Sequence, residues 1–239
     1  MNPFSPDASR FVALWVPFWF RHGWVFLLAA FLIGSIPFGL VVSRVFFGRD
    51  LRASGSGNIG AANALRTMGR GAGLAVLVLD ALKGVVATAL PAVAIDQHWF
   101  QRPYPFFCCM PDEVAPILCA MCAIAAILGH CYSPWLRFNG GKGVATLLGV
   151  LIVAYWPSAL VFVAVWLAVV LPTGFASLGS ILGTLASIAV IGYYVPAPTL
   201  YFTVPAAAII IWKHRQNITR LLSGKENRLN LINRKEEPA

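Results

Sequence analysis

The stretch GVATLLGVLIVAYWPSALVFVAVWLAVVLP, Gly143 to Pro172, runs for thirty residues without a charged side chain. A helix in water needs a polar face, and this stretch has none. It can be read as one long helix interrupted at Trp156-Pro157, or as two spans, 143–155 and 157–172. The first of two spans would reach only about 20 Å, short of the roughly 30 Å hydrocarbon core of a bilayer. A short span is tolerable where its N-terminus is buried in protein instead of lipid.

Similar apolar runs recur along the 239 residues, of which 59% are hydrophobic and only 11% charged. Mean hydropathy is +0.75. A soluble domain carries about 25% charged residues, so a single water-soluble core does not fit. The runs fall at 24–47, 71–95, 115–130, 143–155, 157–172, 177–194 and 199–215. Gly34, Pro37 and Gly39 predict a kink in the first.

Charge decides between six spans and seven. The net charge is +9, and 14 of the 18 Lys and Arg lie in three segments. Arg44, Arg49, Arg52, Arg66 and Arg70 form the first, Arg137 and Lys142 the second, and seven residues from Lys213 to Lys235 the third. Seven spans put all three on one face, and six put the tail opposite the other two. Basic segments gather on the cytoplasmic side. The expected class is therefore all-α: a polytopic membrane protein of about seven transmembrane helices, N-terminus outside, with glycine-rich loops facing the cytoplasm. No groove-reading motif accompanies the basic residues, so no nucleic acid is expected.

The expected domains are an interfacial extension at 1–22, a membrane-embedded domain at 23–227 and a polar tail at 228–239. Residues 1–22 lack the basic start and apolar core of a cleavable leader. Trp15, Phe18, Trp19 and Trp24 suit a membrane interface instead. The five Cys lie between Cys108 and Cys131. Cys119 and Cys122 form a CxxC inside an apolar run with no second pair to complete a metal site, so they read as core fillers and no metal is expected.

Three polar segments can carry chemistry. The first is Ser54-Gly55-Ser56-Gly57-Asn58-Ile59-Gly60-Ala61-Ala62-Asn63-Ala64-Leu65-Arg66. It matches GxGxxG but follows a membrane helix where a nucleotide fold needs a strand. Its glycines still let backbone N–H groups approach an anion, with Ser54, Ser56, Asn58 and Arg66 as further donors. The second ends in Asn139-Gly140-Gly141-Lys142-Gly143 just before an apolar helix, a second anion cradle and not a Walker loop. The third runs from Lys213 to Glu226, with His214 and Asn217 on one side of a continuing helix. Each also has a plainer reading, as a turn-rich loop or a basic membrane-surface tail. Asp80 and Lys83, three apart within a span, suit a structural pair and a functional one equally.

Other acyl-transfer machinery is missing. No His has an Asp five residues on, since Leu27, Pro103, Trp135 and Thr219 occupy those positions. There is no GxSxG elbow either.

Gly34-Ser35-Ile36-Pro37-Phe38-Gly39, Gly55 to Gly60 with Asn63 and Arg66, Gly129-His130, Gly140 to Thr146, and His214-Arg215 with Asn217 and Glu226 occur in one order and separation. Together they resemble the bacterial acyl-phosphate:glycerol-3-phosphate acyltransferases over residues 25–227, and Asp80 and Lys83 also look like that family's pattern. The resemblance implies a seven-span inner-membrane enzyme with its site at the cytoplasmic face. It implies transfer of a fatty acyl group from acyl phosphate to the 1-hydroxyl of glycerol 3-phosphate, giving lysophosphatidic acid and phosphate, the first step of phospholipid biosynthesis. It implies catalytic Ser56, Arg66, Lys142, His214 and Asn217, substrate-binding Ser54, Gly57, Asn58, Asn63, Gly140, Gly141 and Gly143, and structural Glu226. No cofactor is implied. Membrane lipid surrounds the enzyme, and the enzyme that forms the acyl phosphate is an implied partner. Ala62 stands where Thr is common and Asn139 where a Lys often stands.

An acyl phosphate is already activated, which accounts for the missing nucleophile. His214 and the donor's own phosphate oxygen both remain candidate bases. A transporter of phosphorylated solutes, or an enzyme using acyl-CoA or acyl carrier protein, is the competing reading.

Overall fold

The computed structural model describes residues 23–95, 114–194 and 200–229, and everything described is helix, turn or loop. The extension at 1–22, Cys108, Cys109 and the end of the tail lie outside the described residues. The helices are α1 (Trp24–Ser35), α2 (Phe38–Phe47), α3 (Ala61–Met68), α4 (Arg70–Ile95), α5 (Val114–Cys131), α6 (Val144–Thr173), α7 (Ala176–Tyr194), α8 (Leu200–Lys213) and α9 (Arg215–Leu222).

Glycine lets the main helices pack close. A side chain on Gly34 or Gly129 would overlap the facing backbone of α5 or α1, and Gly84 and Gly149 serve the α4–α6 crossing in the same way. Without a hydrophobic drive between helices in lipid, such close backbone approach supplies the packing.

The kink expected in the first span is a break between α1 and α2 at Ile36 and Pro37. A break frees backbone carbonyls, which lipid cannot satisfy. The Ser133 hydroxyl donates to Ser35 O at 2.7 Å, and Lys83 Nζ donates to Ile36 O at 2.8 Å. Lys83 also pairs with Asp80 at 2.7 Å. The intramembrane pair thus has a structural duty.

The charge-free stretch is a 30-residue helical run whose geometry fails at Tyr155 (φ −161°, ψ 90°). Pro157 lacks an N–H and crowds the preceding turn, so the helix breaks just before it. The run folds back there. Val144, Ala145 and Leu148 border the same cavity as Phe162, Trp166 and Leu167. In a straight helix Val144 and Leu167 would stand about 35 Å apart. The Tyr155 ring meanwhile stacks on Tyr194, at the far end of α7, with centroids 6.2 Å apart.

By length and apolarity, five described stretches are able to cross a bilayer: Trp24–Phe47, Arg70–Val93, Ile117–Leu136, Val144–Thr173 and Ala176–Tyr194. Thr203–Lys213 is a shorter apolar helix. The expected seven differs because it divides the fourth stretch at its break and counts the last helix. Residues 48–69, 132–143 and 214–229 gather at one end of the bundle, where they form the site.

Candidate active site

The loop from Leu51 to Gly60 is built around one amide. Asn63, 2% exposed at the start of α3, accepts a hydrogen bond from Ser56 N at 2.8 Å. Its Nδ2 donates to the carbonyls of Leu51, Ser54 and Asn58 at 3.1, 3.0 and 2.9 Å. Asn63, expected to bind substrate, therefore shapes the loop that presents Ser56 and Asn58.

The second cradle docks on the end of α5. Gly141 N donates to His130 O at 3.0 Å and Gly140 N to Cys131 O at 3.2 Å. Lys213 Nζ donates to the same Cys131 carbonyl at 2.9 Å. Gly143 then caps α6 with φ +84°, a backbone only glycine adopts readily. Lys142 is thereby set between two fixed points.

The third segment turns over the same end. Glu226 Oε1 accepts from Ser177 Oγ at 2.9 Å and Asn217 Nδ2 at 2.6 Å, while Oε2 accepts from Arg220 Nε at 2.9 Å. Leu229 N donates to Gly174 O at 2.7 Å. One carboxylate thus ties α7, α9 and the chain after α9 together.

These three segments border a single cavity of about 340 Å³. Ser56, Asn58, Asn63, Arg66, Lys142, Gly143, His214, Asn217 and Glu226 line it. Ser54, Gly57, Gly140 and Gly141 do not, and they shape the loops behind it. Ala62 lines it, so the missing hydroxyl there lies in the wall, whereas Asn139 is exposed and donates to Arg137 O at 3.3 Å, away from it. Asp80, His130, Ser177 and Trp166 also line it and were not among the expected site residues. Asp80 reads from the sequence as half of an intramembrane pair and His130 only as part of a motif, and no glycine or charge marks Ser177.

The electrostatics are those of an anion site. Burial pushes the Lys142 ammonium down to about 8, opposed by Glu226 and aided by Arg220, Arg66 and Lys213. Four cations therefore act on this corner against one carboxylate. Burial also lowers Arg66, whose buried Nε has no hydrogen-bond partner among the described residues. Such a donor is costly unless an acceptor meets it.

His214, 2% exposed, is pushed down to about 4 by burial and by Lys142. It is neutral at pH 7. Its Nδ1 lies 2.8 Å from Ile210 O, and a carbonyl only accepts, so Nδ1 carries the proton and Nε2 is left as an acceptor.

A bundle of apolar helices holding a cationic cavity at one end defines an integral membrane protein that handles anionic ligands. The comparisons narrow this. The family described as glycerol-3-phosphate acyltransferase matches residues 24–224. A glycerol-3-phosphate acyltransferase of Nitrobacter winogradskyi is 38% identical over 212 residues, 88% of this chain and 97% of the relative. Glycerol-3-phosphate acyltransferase 2 of Moorella thermoacetica is 44% identical over 205 residues, 85% and 95% of the two chains.

The crystal structure of PlsY (YgiH), an integral membrane glycerol 3-phosphate acyltransferase, in its glycerol 3-phosphate form is similar at TM-score 0.74 and 34% identity. It covers 87% of this chain and 96% of its own. The lysophosphatidic acid form of PlsY gives 0.71 and 32%, covering 86% and 94%. The chain belongs to the glycerol-3-phosphate acyltransferase family, and is an integral membrane acyltransferase of phospholipid synthesis.

Proposed function

We propose that the chain transfers a fatty acyl group from an acyl phosphate to the 1-hydroxyl of glycerol 3-phosphate. The products are 1-acylglycerol 3-phosphate (lysophosphatidic acid) and inorganic phosphate, in the first step of phospholipid biosynthesis. The observation that carries this reading is the single cavity in which Ser56, Asn58, Arg66, Lys142 and His214 converge beside an apolar wall. It suits two phosphate groups and one acyl chain.

Arg66 and Lys142 bind phosphate oxygens by charge-assisted hydrogen bonds, with Ser56 and Asn58 as neutral donors. Each bond to a charged group contributes about 1.5–3 kcal/mol net. Leu77, Leu148, Phe162, Val163, Trp166 and Leu167 flank the acyl chain. Leu77, Val163 and Leu167 are 37%, 38% and 40% exposed, so this wall reaches the surface that faces lipid.

The glycerol hydroxyl attacks the acyl carbon directly, and the bond from that carbon to the phosphate oxygen breaks. The hydroxyl proton ends on the departing phosphate. His214 Nε2, an acceptor while Nδ1 holds the proton, orients that hydroxyl and carries its proton for part of the way. Asn217 keeps the His214 side of α9 in place through Glu226. The donor supplies its own activation, so positioning and charge stabilisation suffice, and no cofactor takes part.

Divided at Tyr155 and with α8 counted, the bundle makes seven crossings. The positive-inside rule then puts the cavity at the cytoplasmic face of the bacterial inner membrane. The enzyme that forms the acyl phosphate would deliver its product there.

Purified protein given labelled glycerol 3-phosphate with palmitoyl phosphate or palmitoyl-CoA tests the donor. Labelled lysophosphatidic acid from palmitoyl phosphate alone is expected. Product from the CoA ester alone overturns the proposal, and product from neither points to transport.

A further inference from the structure

Asp80, Lys83 and His130 form a buried ionisable cluster that the mechanism above does not use. Each is 3% exposed or less, and they come from α4 and α5. Lys83 is explained by the helix break, whose Ile36 carbonyl it satisfies. Asp80 is its counter-ion there, but the approach of His130 to that carboxylate is not explained by the break. Both line the cavity, and His130 Nδ1 faces Asp80 Oδ1 at 3.6 Å.

The other side of His130 meets the second cradle twice. Its carbonyl accepts the Gly141 N–H at 3.0 Å. The Nε2 edge of its ring abuts Gly141, so closely that a Cβ there would overlap Nε2. The residue that follows Gly141 is Lys142. A continuous series of contacts therefore runs from the Ile36 carbonyl through Lys83, Asp80 and the imidazole to the backbone that carries the Lys142 ammonium.

We propose that His130, held in orientation by Asp80, is a positioning residue that supports the Gly140-Gly141-Lys142 turn and so fixes where Lys142 meets the substrate phosphate. The proposal rests on the phosphate-binding role of Lys142 given above. Buried polar groups inside a membrane bundle are costly to retain, and placing a catalytic cation is a reason to retain them. Any residue at 130 keeps the main-chain bond to Gly141. The proposal therefore concerns the ring. Without it a gap opens beneath Gly141, and the turn settles toward α5.

The test is a double-mutant cycle on full-length purified protein. His130→Ala, Lys142→Ala and the double variant are assayed with palmitoyl phosphate, and glycerol 3-phosphate binding is measured separately by calorimetry. His130→Ala is expected to raise KM and Kd for glycerol 3-phosphate about tenfold, with a smaller change in kcat. In the Lys142→Ala background the same change should alter both by less than about twofold.

Equal effects in the two backgrounds overturn the proposal. So does a loss of folded protein with KM unchanged in the active fraction, which is what a purely structural role produces. Gly141→Ala guards against misfolding of the His130 variant. It presses on the ring from the other side, and is expected to raise KM in the wild-type background and far less in His130→Ala. Equal effects in both backgrounds again overturn the proposal. If wild-type protein binds glycerol 3-phosphate but does not use palmitoyl phosphate, the functional reading fails while the binding cycle still decides the role of His130.

Discussion

Replacing Asn63 by Ala removes the bond accepted from Ser56 N and the two Nδ2 protons shared among the Leu51, Ser54 and Asn58 carbonyls. At about 0.5–1.5 kcal/mol for each of three bonds, they contribute about 1.5–4.5 kcal/mol to the order of the loop. The loop sits at the end of the bundle, and Asn63 makes none of the α1–α5 or α4–α6 crossings. The loss should thus appear in activity more than in global unfolding. If about 2–4 kcal/mol reaches the transition state, kcat/KM falls roughly 30- to 1000-fold. Initial rates over a range of glycerol 3-phosphate concentrations, beside thermal unfolding in the same detergent, read both quantities. Asn63→Asp keeps the acceptor for Ser56 but turns a carboxylate toward three carbonyls, and should be at least as damaging. An Asn63→Ala enzyme within threefold of wild type would refute the idea that this amide builds the site.

The Lys142 ammonium, at about 8 in the free protein, lies below its ordinary value of 10.5. The lysine therefore opposes folding while charged, and stability should rise as pH climbs from about 8. Activity moves the other way: kcat/KM for glycerol 3-phosphate should fall above pH 8, and Lys142→Arg, which stays charged, should flatten that decline in a pH–rate profile. Glu226 raises the Lys142 value, so Glu226→Gln should move the decline to lower pH. His214→Gln is expected to lower kcat by about 100-fold at pH 7, and a near-normal turnover removes His214 from proton handling. Gly143→Ala forces a left-handed residue, costing about 1–2 kcal/mol, and should lower the unfolding temperature by several degrees.

The membrane class and the three polar segments were legible because they depend on local composition. A charge-free run means lipid, and glycines beside basic residues mean an anion, wherever the chain leads. The fold-back at Tyr155 was half legible: Pro157 marks a break, but reversal depends on what the two halves pack against. Roles within the loops were hidden. Asn63 and Asn58 have the same side chain five residues apart, yet the first is buried with both ends of its amide on the loop backbone. The second accepts from Gly60 N through its Oδ1 and is only part-buried. Asp80 and His130 lie fifty residues apart and meet through the packing of α4 on α5. Ser177 reaches the site through Glu226, a contact made by the chain turning back after α9.

Direct transfer without an acyl-enzyme is best tested by isotope exchange. Enzyme is incubated with palmitoyl phosphate and labelled inorganic phosphate, without glycerol 3-phosphate, and label entering palmitoyl phosphate is followed. No exchange is expected, with lysophosphatidic acid and phosphate forming one-to-one once the acceptor is added. Exchange in the absence of acceptor would mean that the acyl group rests on the protein, with Ser56 the first side chain to suspect, and would contradict catalysis by positioning and charge alone.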